Sequence, residues 1–268
     1  TTLGKRLFMK RRSFVLSGLA AGTMSSGSVA IPTLSPRAWF ELRFFHLRND
    51  FERLRLDTLL KEVYLPASSR LGLGPVGFFN VSVGSNMPML VGLTSYRSLA
   101  AMETALDQLA ADSAWNKAME EFSKPKEPAY ARMESRLIRA FASMPGIEAP
   151  PQEAGRAPRV FELRVYEARN LRASLTKIKM FEEGDIAIFR KTGLLPVFFG
   201  QTVVGTGLPS LTYMLAYDSV EAREENWRKF VSHPDWAKLR AVPGYSDAEI
   251  VSNIHSCFLR PTNYSPIR

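Results

Sequence analysis

The chain holds one cysteine, Cys257, among 268 residues. That excludes an intrachain disulfide and any metal cluster built on several thiolates. Histidine is nearly as scarce, with three in all: His46, His233 and His255. His255 and Cys257 share one face of a strand-like stretch, but two ligands without a third and fourth make no metal site, and none is expected. No Walker loop, G-x-S-x-G elbow or H-E-x-x-H pair occurs, which removes the mechanisms those motifs carry. The run Gly72-Leu73-Gly74-Pro75-Val76-Gly77 spells G-x-G-x-x-G, yet it follows a helical pattern and enters a strand, the reverse of the dinucleotide-binding order. It reads as a turn. Basic stripes interleaved with aromatics are also missing. Lys5, Arg6, Lys10, Arg11 and Arg12 stand before residue 30 with no acid among them, and removing those five charges takes the formal net charge from +9 to +4. Nucleic acid is therefore not an expected partner.

What the chain does have is an internal repeat. Phe40-Glu41-Leu42-Arg43 returns as Phe161-Glu162-Leu163-Arg164, and the spacing of 121 residues holds without a gap through most of both halves. Arg48-Asn49 matches Arg169-Asn170, Pro75-Val76 matches Pro196-Val197, and Tyr96, Ser98, Trp115 and Arg139 return as Tyr217, Ser219, Trp236 and Arg260. The protein is a tandem duplication. Within each copy the periodicities predict strand, helix, two hairpin-joined strands, helix, closing strand, the ferredoxin-like β-α-β-β-α-β order and an α+β fold. In the first unit, residues 39–142, these fall at 39–45, 49–70, 75–83, 89–96, from the Ser98 cap onward, and 130–141. In the second, residues 160–268, they fall at 160–167, 171–191, 196–204, 211–217, 219–231 and 249–259. A linker rich in Pro and Gly separates the units at 143–159.

The N-terminal stretch Arg11-Arg12-Ser13-Phe14-Val15-Leu16 sets paired arginines before a moderately apolar run ending in Ser28-Val29-Ala30. It resembles a twin-arginine export signal over residues 1–30, with a Pro-containing tether at 31–38. Resemblance to that class implies a periplasmic or secreted protein, without a transmembrane anchor once the signal is removed.

The second unit carries Glu162-Leu163-Arg164-x-Tyr166, Tyr217-x-Ser219, Arg223-Glu224 followed by Trp227 and Phe230, His233-Pro234-x-Trp236, and Leu259-Arg260-Pro261-Thr262-x-Tyr264-Ser265-Pro266. These residues resemble the NIPSNAP family. The first unit is similar but diverged, with Met102 where Arg223 stands and Leu106 where Trp227 stands. The resemblance implies a dimeric α+β barrel, closed either within one chain as a monomeric pseudo-dimer or between chains of a homo-oligomer. It favours a binding or interaction protein that recognises a small molecule or a protein partner. Similar barrels include cofactor-independent monooxygenases and haem-handling proteins, so an enzyme of that type is the alternative, and no cofactor is specified.

Alternation along the repeated strand places Glu162, Arg164 and Tyr166 on one face and Phe161, Leu163 and Val165 on the other. With the apolar face expected to cover the helices, Glu162, Arg164 and Tyr166 would line the barrel interior, facing Glu41, Arg43 and Phe45 of the other unit. There they would form either a self-satisfied Glu–Arg pair that fixes the sheet or a polar anchor for a small ligand. Arg223 would pair with Glu224 or clamp an anion. His46 and His255, on the first and last strands, complete the candidate ligand-binding residues. His233 is expected to order a turn, and Trp227 and Trp236 to pack in the core.

Overall fold

The computed structural model describes residues 36–153 and 155–268. The export segment and residues 31–35 of the tether lie outside the described residues.

Each repeat supplies four strands, apolar at alternate positions. They are β1 (Trp39–His46), β2 (Val76–Val83), β3 (Met89–Tyr96) and β4 (Arg132–Ala140), then β5 (Val160–Ala168), β6 (Leu195–Val204), β7 (Ser210–Tyr217) and β8 (Val251–Pro261). All pairings are antiparallel, and the eight strands close into a barrel in the order β1-β3-β2-β8-β5-β7-β6-β4. Each unit thus keeps the ferredoxin-like strand order, and two seams join the units. Asn80 faces Arg260 across the β2–β8 seam, and Arg139 faces Gln201 across the β4–β6 seam. Both members of one seam pair lie 121 residues from their counterparts in the other, so the barrel has an approximate two-fold axis along its length.

The helices repeat too. The stretch expected as one helix over 49–70 is helix α1 (Asp50–Leu59), a wide π-helical turn (Leu60–Tyr64) and α2 (Leu65–Arg70). Its counterpart is α5 (Leu171–Met180), a π turn (Phe181–Asp185) and α6 (Ile186–Lys191). Asn49 and Asn170 cap these helices, their Oδ1 atoms accepting from the amides of Glu52 and Ala173 at 2.9 Å. Between β3 and β4 lie α3 (Leu99–Ala111) and α4 (Ser113–Ser123), and after β7 come α7 (Val220–Ser232), α8 (Pro234–Arg240) and α9 (Asp247–Ile250). Ser98 and Ser219 cap α3 and α7. His233 orders its turn as expected, its Nδ1 accepting from the Asp235 amide at 3.1 Å. The last strand starts at Val251, later than predicted, because residues 247–250 form the turn of α9. Among the described residues no helix is long and apolar enough to cross a membrane.

Three apolar clusters follow. One fills the barrel from both units, including Phe40, Leu42, Phe44, Phe79, Phe161, Leu163, Phe198 and Met214. The ring centroids of Phe40 and Phe198 lie 5.1 Å apart, and those of Phe79 and Phe161 5.0 Å apart. The other two clusters lie between each half of the sheet and its own helices, around Phe45, Leu56, Tyr64 and Phe78 in the first unit and around Tyr166, Phe181, Phe189 and Tyr213 in the second.

This corrects the expected facing of the strands. Glu162, Arg164 and Tyr166, with Glu41, Arg43 and Phe45, lie under the helices, and the phenylalanine face turns inward. The reason is closure. An eight-strand barrel has an interior just wide enough for side chains to fill, so a charge placed there would lose its hydration with no helix to partner it. The helix layer supplies tyrosine hydroxyls and arginines. The linker is fixed to the barrel: the Ala38 amide donates to Pro145 O and the Glu148 amide to Val197 O, both at 2.9 Å.

Because the central cluster draws on both units, they are expected to unfold together. Phe161→Ala should cost about 4 kcal/mol and leave a single transition, monitored by circular dichroism and by the fluorescence of Trp115, Trp227 and Trp236. Two separated transitions would refute the shared core.

Candidate functional site

One end of the barrel is open. There β1 and β5 end, β4 and β8 begin, and the hairpins Gly84–Pro88 and Gly205–Pro209 fold over the rim. A cavity of about 420 Å³ lies in this mouth. Apart from Met89, Leu163 and Ser256, its lining comes in pairs related by the repeat: Phe44 with Val165, His46 with Glu167, Ser85 with Thr206, Asn86 with Gly207, Glu134 with His255, and Arg136 with Cys257. Strand register explains the set. Phe44 stands opposite Glu134 and Leu42 opposite Arg136, while Val165 stands opposite His255 and Leu163 opposite Cys257, all on the inward face. The floor is apolar and the rim polar.

The rim pairs are arranged crosswise. In the first unit the histidine is on β1 and the acid on β4, with His46 Nε2 3.2 Å from Glu134 Oε1. In the second unit the acid is on β5 and the histidine on β8, with His255 Nε2 3.0 Å from Glu167 Oε1. Arg132 joins the first pair, 2.8 Å from Glu134. The His46 side chain is 13% exposed and that of His255 61%, so His46 lies inside the mouth and His255 at its lip, with both acids partly exposed between them. Burial, reinforced by the charge of Glu162, pushes the Cys257 thiol up to about 11, so it stays protonated at neutral pH and is no nucleophile. Among the described residues no group of three His, Cys, Asp or Glu side chains is placed to hold a metal ion.

Of the residues singled out from sequence, His46 and His255 therefore meet in this cavity. Glu41, Arg43, Glu162, Arg164, Tyr166 and Arg223 do not. Glu134, Arg136 and Glu167 were not among the candidates. The signal for them was in the repeat, which pairs His46 with Glu167 and Glu134 with His255.

The remaining candidates form two buried networks, again related by the repeat. Glu41 accepts from Arg43 Nε at 2.8 Å, Ser135 Oγ at 2.9 Å and the Tyr96 hydroxyl at 3.2 Å. Glu162 accepts from the matching Arg164 at 2.5 Å, Ser256 at 2.7 Å and Tyr217 at 2.9 Å. To these the second unit adds Arg223, whose Nε and Nη2 reach the two Glu162 oxygens at 3.0 and 3.1 Å. Arg223 also pairs with Glu224 at 2.6 Å. Trp227 Nε1 donates to Tyr217 at 3.0 Å, and the Arg164 guanidinium sits 4.9 Å from the Trp227 ring centroid. With five donors on a fully buried carboxylate, Glu162 is a fastener between sheet and α7.

Burial alone would raise the Glu162 carboxyl. The Arg223 hydrogen bonds, the Arg164 charge and Ser256 more than reverse this and bring it down to about 2. A carboxyl depressed on folding contributes stability above its unfolded value, which is lost as pH falls from about 5 towards 2. Glu162→Gln should therefore cost on the order of 3 kcal/mol at neutral pH and flatten the acid limb of stability against pH, measured by urea unfolding. An unchanged acid limb would remove Glu162 from this role.

A family model described as NIPSNAP matches residues 40–145 and again residues 161–266. Among curated proteins none matches the sequence. Of solved structures, a candidate monooxygenase from Lactobacillus acidophilus superposes with a TM-score of 0.57 at 10% identity, covering 84% of this chain and 94% of that one. A candidate monooxygenase from Fusobacterium nucleatum gives 0.54 at 10% identity, covering 84% and 92%. A NIPSNAP family protein from Agrobacterium tumefaciens is 24% identical over 41% of this chain and 99% of its own, with a TM-score of 0.36. The first two likenesses concern the fold, a dimeric α+β barrel made here within one chain. With both halves of the barrel matched by its model, the chain belongs to the NIPSNAP family as a tandem of two domains.

Proposed function

We propose that this is an exported binding protein that holds a small molecule in the barrel mouth. Export rests on the paired arginines and apolar run of residues 11–30. The observation that carries the binding reading is the mouth itself: a cavity of about 420 Å³ with an apolar floor and a ring of convergent polar side chains, within the size range of small-molecule sites. Below that floor the barrel is filled by Phe40, Phe79, Phe161 and Phe198, each fully buried, which confines a ligand to the mouth. The other inward-facing polar residues, such as Ser95 and the hydrogen-bonded pair Thr202 and Thr212, are small, uncharged and buried. Kinship of fold with proteins described as candidate monooxygenases extends the reading to oxidation of the bound molecule, by analogy of architecture alone.

Native against denaturing mass spectrometry of the exported protein tests this. A non-covalent mass is expected on the native chain, absent after denaturation, and Val165→Trp, which fills the mouth, should abolish it while leaving circular dichroism unchanged. A bare chain, or a mass retained by Val165→Trp, would overturn the mouth as the ligand site. Oxygen uptake accompanying ligand turnover would place the protein among enzymes.

A further inference from the structure

Of the arginines on the strands, Arg139 and Arg260 are exposed at the surface, and Arg136 differs from the rest. Arg43 and Arg164 are each tied to a glutamate two residues earlier, at 2.8 and 2.5 Å, and Arg132 is tied to Glu134 at 2.8 Å. Arg136 makes no ion pair and no hydrogen bond among the described residues, and its Nε is buried without a partner. The guanidinium lies 4.8 Å from the Phe44 ring centroid, inside the mouth. A half-buried cation with idle donors carries a desolvation cost that an incoming oxyanion would offset.

The surroundings narrow what that oxyanion can be. The repeat places Cys257 where a second arginine would stand, so the mouth offers one unpartnered guanidinium. Glu134 is engaged by Arg132 and His46, and Glu167 by His255. These two carboxylates line the same cavity, so a second negative charge on the ligand would meet repulsion with nothing to balance it. Phe44, Leu163 and Val165 form an apolar wall beside the guanidinium. The hairpin roof also holds Arg136 in place. Gly205 has φ +146, and a Cβ there would stand 2.9 Å from Arg136 Cγ, so the backbone rests against the arginine stem and limits its movement.

We propose that the mouth selects an organic monocarboxylate, its carboxylate on Arg136 and its apolar body against Phe44, Leu163 and Val165. This rests on the reading of the mouth as a ligand site and adds the chemical class of the ligand. Apart from the Phe44 ring, no contact among the described residues uses the Arg136 charge, and its desolvation outweighs that contact, so Arg136→Gln should fold and melt at a higher temperature than the parent in the absence of ligand.

The test is titration of the full chain, by calorimetry and by amide NMR shifts, with a panel of aliphatic and aromatic monocarboxylates, their matched primary amides, and phenyl phosphate. Binding is expected from at least one carboxylate, with its amide and phenyl phosphate weaker by about tenfold or more. Arg136→Gln should lose at least that factor, and Arg136→Lys should recover part of it. Equal binding of acid and amide, tighter binding of phenyl phosphate, or full affinity in Arg136→Gln would overturn the assignment. So would an absence of binding by every carboxylate. If the native mass spectrum then still shows a neutral molecule displaced by Val165→Trp, the mouth reading survives and the carboxylate alone falls; an empty mouth in both experiments removes both.

Discussion

The two seams, β2 with β8 and β4 with β6, are the constraint from which the rest of the architecture follows. A four-stranded ferredoxin-like sheet has two edges and two faces to cover, and its own helices cover one face. Pairing edge to edge removes all four edges of the two sheets at once and turns both uncovered faces towards each other. The space between them is narrow, so away from the rim it accepts apolar side chains and a few small hydroxyls such as Ser95 and Thr212. Every charge that the alternating pattern places on the strands is then forced outward beneath the helices or towards the open rim. The Glu41 and Glu162 networks and the polar mouth are two outcomes of that one exclusion.

Much of this was legible in the residues. The constant spacing of 121 gave the duplication, alternation gave the strands, helical spacing gave the helices, and the Ser98 cap marked the start of one of them. The facing of the strands was misjudged for a physical reason. Period-two alternation says that Glu162 and Arg164 share a side, but not whether that side meets helices or barrel interior, and here both sides are buried. The choice depends on closure, which is a property of partner strands far away in sequence. The mouth was half legible. His46 and His255 drew notice as rare residues, whereas Glu134 and Arg136 sit among ordinary charges on the closing strand of the first unit. Only the register of β4 on β1, strands at opposite ends of the first unit, brings them opposite Phe44 and Leu42.

The two units have kept their backbone and divided their chemistry. The second retains Arg223 and Trp227 above its buried glutamate, and it also buries Lys177 beside Tyr166 and Phe181. Asp185, at the π turn where the first unit has Tyr64, is pushed up to about 7 by burial, partly offset by the charge of Lys177. The first unit replaces these with Met102, Leu106, Leu56 and Tyr64, uncharged at each of the four positions. A linker held against the barrel keeps the unlike halves side by side, so neither has to find the other from solution.

The exchange of Arg136 for Cys257 across the axis has a consequence for how a guest is held. In a mouth with true two-fold symmetry, any unsymmetrical molecule lying on the axis has two degenerate poses, related by a half-turn and equal in energy. Neither end of the guest is then presented to a distinct environment. Duplication within one chain lifts that degeneracy: a single guanidinium on one side and a neutral thiol on the other give the cavity a polarity, and with it one preferred orientation.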